Sequence, residues 1–382
     1  MADKKFITYL FGAGASAQTI PVASQLKLRL NDLKVYLKTN FVTINQGALS
    51  QLHHHLRDHQ TELEQFISDI DWLLTETEYY DTIDVYAKNL YDSGSSSLNR
   101  LKMVLAFYFY FEQIVTFPSL KSLEETEKFK KAIDSRYDNL LTQIADRQNG
   151  DIVFGDKIKI LTWNYDMQID MSIKKYTKKN IATVKKGYHI YPNINSYNDD
   201  ERFKVDISNF CTIKLNGNAF FDQLSYDDSS LSHQLYDETN NSIQAKIANA
   251  LLVYVSMFSR SASYSSDNFK FFNFSWEKDG KYTGFNRTFE YVREIARETK
   301  VLVVSGYSFP TLNNIIDIQI LDEMWPLEIH IQDENPVKIE NRIKELMPKF
   351  KHTCDKSYPE IQFKHIGIDE SFPFPTRLYH GF

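Results

Sequence analysis

The hydrophobic pattern changes period early in the chain and sets its organisation. Residues 6–11, Phe-Ile-Thr-Tyr-Leu-Phe, are a continuous apolar run rich in β-branched and aromatic side chains, which predicts a buried strand. It ends in Gly12-Ala13-Gly14-Ala15-Ser16-Ala17, where small residues let backbone approach a ligand and let a following helix pack closely. Over residues 24–37, Leu26, Leu28, Leu30, Leu33, Val35 and Leu37 recur among lysines and an arginine and predict the first helix. From about residue 47 to 147 strand signals nearly vanish. Leu52, Leu56, Leu63, Phe66, Ile67, Ile70, Leu73 and Leu74 follow helical spacing, and residues 98–115 repeat it after the Ser/Gly loop at 92–97. Strands and helices alternate again after Gly155, with strands predicted at 157–161, 210–215, 301–304 and 327–331 and a helix at 286–300.

The expected architecture is α/β, a Rossmann-like parallel sheet with helices on both faces and a helical insertion after the first βα unit. Residues 1–40 and 151–345 would form the Rossmann-like domain and 41–150 the inserted module. Residues 346–382, with Phe372-Pro373-Phe374-Pro375, would be a surface-running tail on the core or on a neighbouring subunit.

Composition removes several function classes. Net charge is −6, which argues against general nucleic-acid binding. The run Lys174, Lys175, Lys178, Lys179, Lys185 and Lys186 reads as a solvated helix end and loop or as a local partner contact. No stretch supplies the roughly eighteen apolar residues of a membrane span, and the N-terminus enters a strand without a signal-peptide core, so the cytoplasm is expected. Two cysteines, Cys211 and Cys354, are too few for a disulfide framework or a four-thiolate zinc site. Among His53, His54, His55 and His59, the residue after His55 is Leu56, where a metalloprotease helix needs glutamate. A solvated helical surface is expected there, and no metal.

Five predicted strands each end in Gly, Ser, Thr, Asn or Asp. These ends are Gly12-Ala13-Gly14-Ala15-Ser16, Thr162-Trp163-Asn164-Tyr165-Asp166, Asn216-Gly217-Asn218, Ser305-Gly306-Tyr307-Ser308 and Gln332-Asp333-Glu334-Asn335. In an open α/β sheet the carboxyl ends of the strands form the ligand crevice, so polar residues gather where a nucleotide would lie. A helix starting at the glycine turn would present its N–H groups and positive dipole to a pyrophosphate. Asp32 has the spacing of a dehydrogenase's ribose-binding acid but falls inside a helical pattern, which disfavours that class. Plainer readings compete: Asn164-x-Asp166 is also an Asx-turn, and Gly306 and the Asp333 cluster are also strand-ending turns.

Taken together, Gly12-Ala13-Gly14-Ala15-Ser16 with Ile20-Pro21, Thr162-Trp163-Asn164-Tyr165-Asp166, Lys214-Leu215-Asn216-Gly217 and Gly306-Tyr307-Ser308 resemble the ordered motifs of the sirtuin family. The closer resemblance is to its bacterial branch that cleaves NAD in antiphage defence. The resemblance implies an NAD+ glycohydrolase that releases nicotinamide and ADP-ribose and depletes cellular NAD. It also implies a homo-oligomer, or control by a HerA-type ATPase or an Argonaute-like partner. The alternative is a catalytically silent subunit that binds NAD or ADP-ribose. The paired zinc cysteines of the protein deacetylases that it resembles are absent, and their Asp-Phe-Arg segment is replaced by Val22-Ala23-Ser24. Where the family has a histidine before the glycine of Lys-Leu-x-Gly, this chain has Asn216, whose amide cannot serve as a base. That asparagine is either native to the lineage or an inactivating substitution.

Breaking the nicotinamide-ribose bond makes an oxocarbenium-like centre and expels a neutral base, so orientation, cation stabilisation and water placement are the tasks. The resemblance implies that Asn164 grips the ribose and the attacking water. Asp166 would fix the loop or place negative charge near the cation, and Asn216 would hold ribose hydroxyls. Gly12, Ala13, Gly14 and Ser16 would cradle the pyrophosphate, with Thr162 beside them. Gly306 and Ser308 would lie near the adenosine ribose and phosphate, with Asp333 or Asn335 on that ribose. His189, after Gly187-Tyr188, is a substitute base or a packed side chain.

Overall fold

In the computed structural model the described residues are 5–39, 60–114, 133–179, 181–191, 204–219, 247, 250–251, 253–254, 272–277, 285–347, 361–368, 371–376 and 379. They fall into two compact units, one of residues 1–17, 133–218 and 273–382 and the other of 18–132 and 219–272. His53, His54, His55 and His59 lie outside the described residues.

The first unit is Rossmann-like. Its strands are β1 (Phe6–Phe11), the antiparallel hairpin β2 (Ala145–Gln148) and β3 (Asp151–Phe154), then β4 (Ile158–Thr162), β5 (Ile190–Tyr191), β6 (Cys211–Lys214), β7 (Thr299–Ser305), β8 (Glu328–Gln332) and β9 (Gln362–Ile366). All but the hairpin form one parallel sheet of seven strands, ordered β5-β6-β4-β1-β7-β8-β9. The chain moves outward from β1 on one side and returns past it to β7, so the topological switch lies between β1 and β7. Every residue of β1, β4 and β6 is buried, which is why these strands are mainly apolar without period-two alternation of exposed positions. Most of their polar members are satisfied internally, Thr212 Oγ1 in β6 being buried without a partner among the described residues. The hydroxyls of Thr8 and Thr299 meet at 2.7 Å, and the Lys159 ammonium donates to the carbonyls of Asp156 and Asn209 with the Phe6 ring 4.4 Å away.

The second unit contains helices α1 (Leu26–Leu37), α2 (Gln60–Glu76), α3 (Ile83–Asp92) and α4 (Ser97–Ile114). Phe66 packs against Phe111 and Tyr254 at centroid distances of 5.3 and 4.8 Å, and a buried Arg29–Glu112 ion pair of 2.7 Å ties α1 to α4. Asp32 sits 3.4 Å from that same arginine, inside α1. The sheet unit carries α5 (Ser135–Ile144), α6 (Gln168–Thr177), α7 (Ile181–Gly187), α8 (Phe285–Glu298), α9 (Asn314–Glu323) and α10 (Pro336–Leu346), which flank the sheet. Of the lysine run, Lys175 and Lys179 pair with Asp138 and Asp151, while Lys178 ends α6 in the left-handed conformation.

The five expected strands are present, and four features depart from the sequence reading. The glycine turn leads into a single 3-10 turn, Ala13–Ser16, and the α-helix begins only at Leu26, beyond Pro21, whose missing N–H and locked φ interrupt helical pairing. Helix α5 and β2, placed by the sequence reading in the insertion, cluster with the sheet. The hairpin turns on Asn149 and Gly150 at φ 52° and 88°, the Asn-Gly signature of a type I′ turn. The tail is part of the fold: β9 pairs with β8, and Phe372 packs 4.6 Å from Phe11 and 5.1 Å from Tyr137. Gln-Phe-Lys-His-Ile lacks an apolar run because β9 is an edge strand with exposed charges.

Gly306 has φ +60°, and a Cβ there would lie 2.3 Å from the Gly14 carbonyl carbon. Gly150→Ala, at φ +88° with open space around it, isolates the backbone cost of about 1–2 kcal/mol. Gly306→Ala adds a clash with backbone and is expected to lower the apparent melting temperature at least roughly twice as far. Equal shifts in thermal unfolding would show that the two turns do not need this contact.

Candidate functional site

The register aligns the strand ends into one row. Thr162 and Ser305 flank Phe11, Lys214 lies beside Thr162, and Gln332 lies beside Ser305. The next residues, Gly12, Trp163, Leu215 and Gly306, donate their N–H groups back to the neighbouring strands at 2.8–3.2 Å and extend the ladder by one step. The polar residues singled out in the sequence follow directly after this row. Gly14 N–H donates to the Gly306 carbonyl at 3.0 Å, and Ala15 and Ala17 donate to Gly12 and Gly14. The N–H groups of Gly12 and Gly14 are therefore engaged within the fold, and Ala13 is exposed at the tip of the turn.

Ser16 is the centre of a buried polar cluster. Its Oγ lies 3.2 Å from Asn164 Nδ2 and 3.1 Å from the Tyr137 hydroxyl, and it hydrogen-bonds the Asp166 carboxyl. A serine hydroxyl has one proton and two lone pairs. With Asp166 ionised, Ser16 donates to it and accepts from Asn164 and Tyr137, which turns Asn164 Oδ1 away from the cluster. The Asn164 N–H donates to Thr162 Oγ1 at 3.0 Å, so the threonine that ends β4 also fixes the loop. Asp166 Oδ1 accepts from the N–H of Gln168, the first residue of α6, at 2.9 Å. Burial pushes the Asp166 carboxyl above the ordinary carboxylate range, opposed by that N–H and by the Lys214 charge. Lys214 reaches the Asp166 carbonyl at 2.7 Å and pairs with buried Asp170 at 2.6 Å.

Asn216 stands at the end of β6, where Gly217 at φ +79° turns the chain. Its Nδ2 donates to the Tyr165 hydroxyl at 3.1 Å and to the Trp163 carbonyl at 3.4 Å. Because a carbonyl can only accept, this contact fixes which end of the amide is nitrogen. Its Oδ1 is buried with no hydrogen-bond partner among the described residues. A buried acceptor without a donor is costly, by about 1–3 kcal/mol.

On the other side of the switch, the Trp163 and Tyr307 rings stack at 6.0 Å, and Tyr307 donates its hydroxyl to Asp317 at 2.7 Å. Ser308 is exposed. Asp333 Oδ1 accepts from the Asn335 N–H at 2.9 Å, and Asn335 Oδ1 accepts from the Lys338 N–H at 3.1 Å as the N-cap of α10, with Pro336 following. Those two side chains are engaged in starting a helix. His189 precedes β5, at the amino ends of the strands, with its ring 3.3 Å from the Tyr191 hydroxyl, so it is remote from the row and is not a substitute base.

The structure thus gathers Gly12, Gly14, Ser16, Thr162, Asn164, Asp166, Asn216 and Gly306 at the row. It adds three residues that sequence reading missed: Asp134, Arg136 and Tyr137, at the start of α5. Asp134 accepts from the Arg136 N–H at 3.1 Å as N-cap, and Arg136 Nη2 donates to the Gly14 carbonyl at 2.8 Å. An Asp-Ser helix start was visible in the sequence, but nothing linked it to a turn 120 residues earlier. Among the described residues no group of three or more His, Cys, Asp or Glu is arranged to hold a metal ion, and no helix is long and apolar enough to cross a membrane. No family model, curated protein or solved structure matches this chain.

Burial raises the Asp317 carboxyl from 3.8 to about 7, only partly offset by the hydroxyl of Tyr307. A carboxyl raised on folding stabilises the fold below its unfolded pKa and loses that contribution as pH rises through about 7. Such a rise corresponds to on the order of 4 kcal/mol. Asp317→Asn is therefore expected to melt no higher than the parent at pH 4 and above it at pH 8, in thermal unfolding at the two pH values. A parallel pH dependence in both proteins would exclude this role.

Proposed function

We propose that this chain binds NAD+ and cleaves its nicotinamide-ribose bond to give nicotinamide and ADP-ribose. The observation that carries the reading is the orphaned Oδ1 of Asn216. It lacks a donor, and a ribose hydroxyl is a donor of the required kind. Asn164 complements it: with Nδ2 held by Ser16, its Oδ1 is free to accept from a second hydroxyl or from the attacking water. Both amides sit on turns that extend a rigid parallel sheet, which holds them without a cost of reorganisation at the moment of reaction.

Nicotinamide leaves as a neutral base, so no acid is required at the leaving group. The developing positive charge on the ribose is met by the carbonyl ends of two amides and by the Asp166 carboxyl behind Ser16. This chemistry asks for orientation and dipoles more than for proton transfer, which is compatible with asparagine at position 216. In that reading the protein is an NAD+ nucleosidase acting as effector of a bacterial antiphage defence system. Its restraint would come from a homo-oligomer or from a HerA-type or Argonaute-like partner. The wider role rests on the resemblance of the motifs.

A specific observation favours one alternative, a silent NAD or ADP-ribose-binding subunit. Asn216 has no titratable proton, and its Nδ2 is already committed to Trp163 and Tyr165. Nicotinamide release by the purified protein separates the two. Asn164→Ala is expected to lower release by about 100-fold or more, the usual cost of losing one positioned polar group. Release by the parent and by Asn216→His, but not by Asn164→Ala, supports the nucleosidase. A silent parent that still binds ADP-ribose, with release restored by Asn216→His, supports the binding subunit. Absence of both binding and release in all three proteins would remove the NAD+ reading.

A further inference from the structure

A pyrophosphate at the switch point needs donors, and the turn that would be expected to supply them has used most of its own. Gly12, Gly14, Ala15 and Ala17 all donate within the fold, and the single 3-10 turn has no extended helix dipole behind it. Nearby cations are also committed. Lys214 is held by Asp166 and Asp170, while Arg342 reaches the Phe309 carbonyl, the Asn314 side chain and Glu345.

Arg136 differs. It is 5 % exposed, and the Phe372 ring lies 5.2 Å from its guanidinium carbon. Its Nε and Nη2 form a two-point pair with Asp134 Oδ1 and Oδ2 at 3.0 and 2.7 Å. Nη2 uses its other hydrogen on the Gly14 carbonyl at 2.8 Å. In a planar guanidinium the outward hydrogens of Nη1 and Nη2 run parallel, so the Nη1 hydrogen beside the Gly14 bond points the same way, toward the glycine turn. Nη1 has no partner among the described residues, although the rest of the guanidinium is fixed.

We infer that Arg136 is the anion-recognising residue of this site, its Nη1 donating to a phosphate oxygen of the ligand's pyrophosphate at the Gly12–Ser16 turn. Asp134 is then a positioning residue that locks the guanidinium plane, and Phe372 supports its face. The inference rests on the NAD+ reading for the identity of the ligand, but not for the presence of an anion.

The test is equilibrium binding of NAD+, ADP-ribose, ADP, inorganic pyrophosphate and adenosine to the full chain and to Arg136→Lys. Lysine keeps the charge but loses the planar fork. The expected result is at least a roughly tenfold loss of affinity for ADP-ribose and ADP, with adenosine unchanged. Should Arg136→Lys fail to fold, the double variant Asp134→Asn, Arg136→Gln removes the ion pair without stranding a buried charge and is read in the same way. Unchanged ADP-ribose and ADP affinity in the folded variant overturns the inference and leaves the NAD+ reading standing. A parent that binds ADP and pyrophosphate in an Arg136-dependent way, but not NAD+, keeps the anion site and removes the NAD+ reading. A parent that binds none of the phosphorylated probes removes both.

Discussion

Two turns at the centre of the sheet approach until only glycine fits between them. A Cβ on Gly12 would lie 2.6 Å from the Gly306 carbonyl oxygen, and one on Gly14 would lie 2.6 Å from the Gly306 Cα. This contact joins the ends of β1 and β7, the two strands between which the chain reverses its direction of travel across the sheet. It is sealed by the Gly14 N–H on the Gly306 carbonyl and by Arg136 on the Gly14 carbonyl. The glycines that suggest phosphate binding are first of all the condition for backbone-on-backbone packing. The turn they form brings Ser16 to the edge that Asn164 shares, with the N–H groups of Gly12 and Gly14 engaged within the fold.

Around this contact the polar groups are arranged in one buried cluster. Ser16 links the β1 turn to the β4 turn through Asn164 and Asp166, and to α5 through Tyr137. In a low-dielectric setting each of these bonds is stronger, and each missing partner costs more, than at the surface. The buried Oδ1 of Asn216, unpartnered among the described residues, lies at the edge of this cluster, four residues along the chain from the equally unpartnered Thr212 Oγ1 inside β6. Burial also raises the Asp166 carboxyl, so its negative charge is held in place by Lys214 and the Gln168 N–H rather than by water.

The C-terminal residues complete this edge. Gln332 at the end of β8 donates to the carbonyls of Gly367 and Ser371, and Tyr9 in β1 donates its hydroxyl to the Pro373 carbonyl. Phe372, carried on that segment, fills the space between Phe11, Tyr137 and the Arg136 guanidinium. The tail thus supports the glycine turn from within the sheet unit.

Local pattern was sufficient for β1, β4, β6, β7 and β8, because strands buried on both faces are mainly apolar, as 6–11 and 301–304 are. It also marked Asn164, Asp166 and Asn216, since polar residues directly after such runs fall at the carboxyl edge whatever the rest of the chain does. Tertiary structure alone decided which of these candidates share a site. Asp333 and Asn335 have the composition of ligand residues, yet their oxygens start α10. His189 has suitable chemistry but precedes its strand rather than following it. Arg136 carries no local motif and Asp134 only that of a helix start, and β9 shows no apolar run because an edge strand needs none. Short-range periodicity records burial and turn chemistry. The pairing of residue 14 with residues 136 and 306 depends on strand order and long-range packing, which no single stretch of sequence encodes.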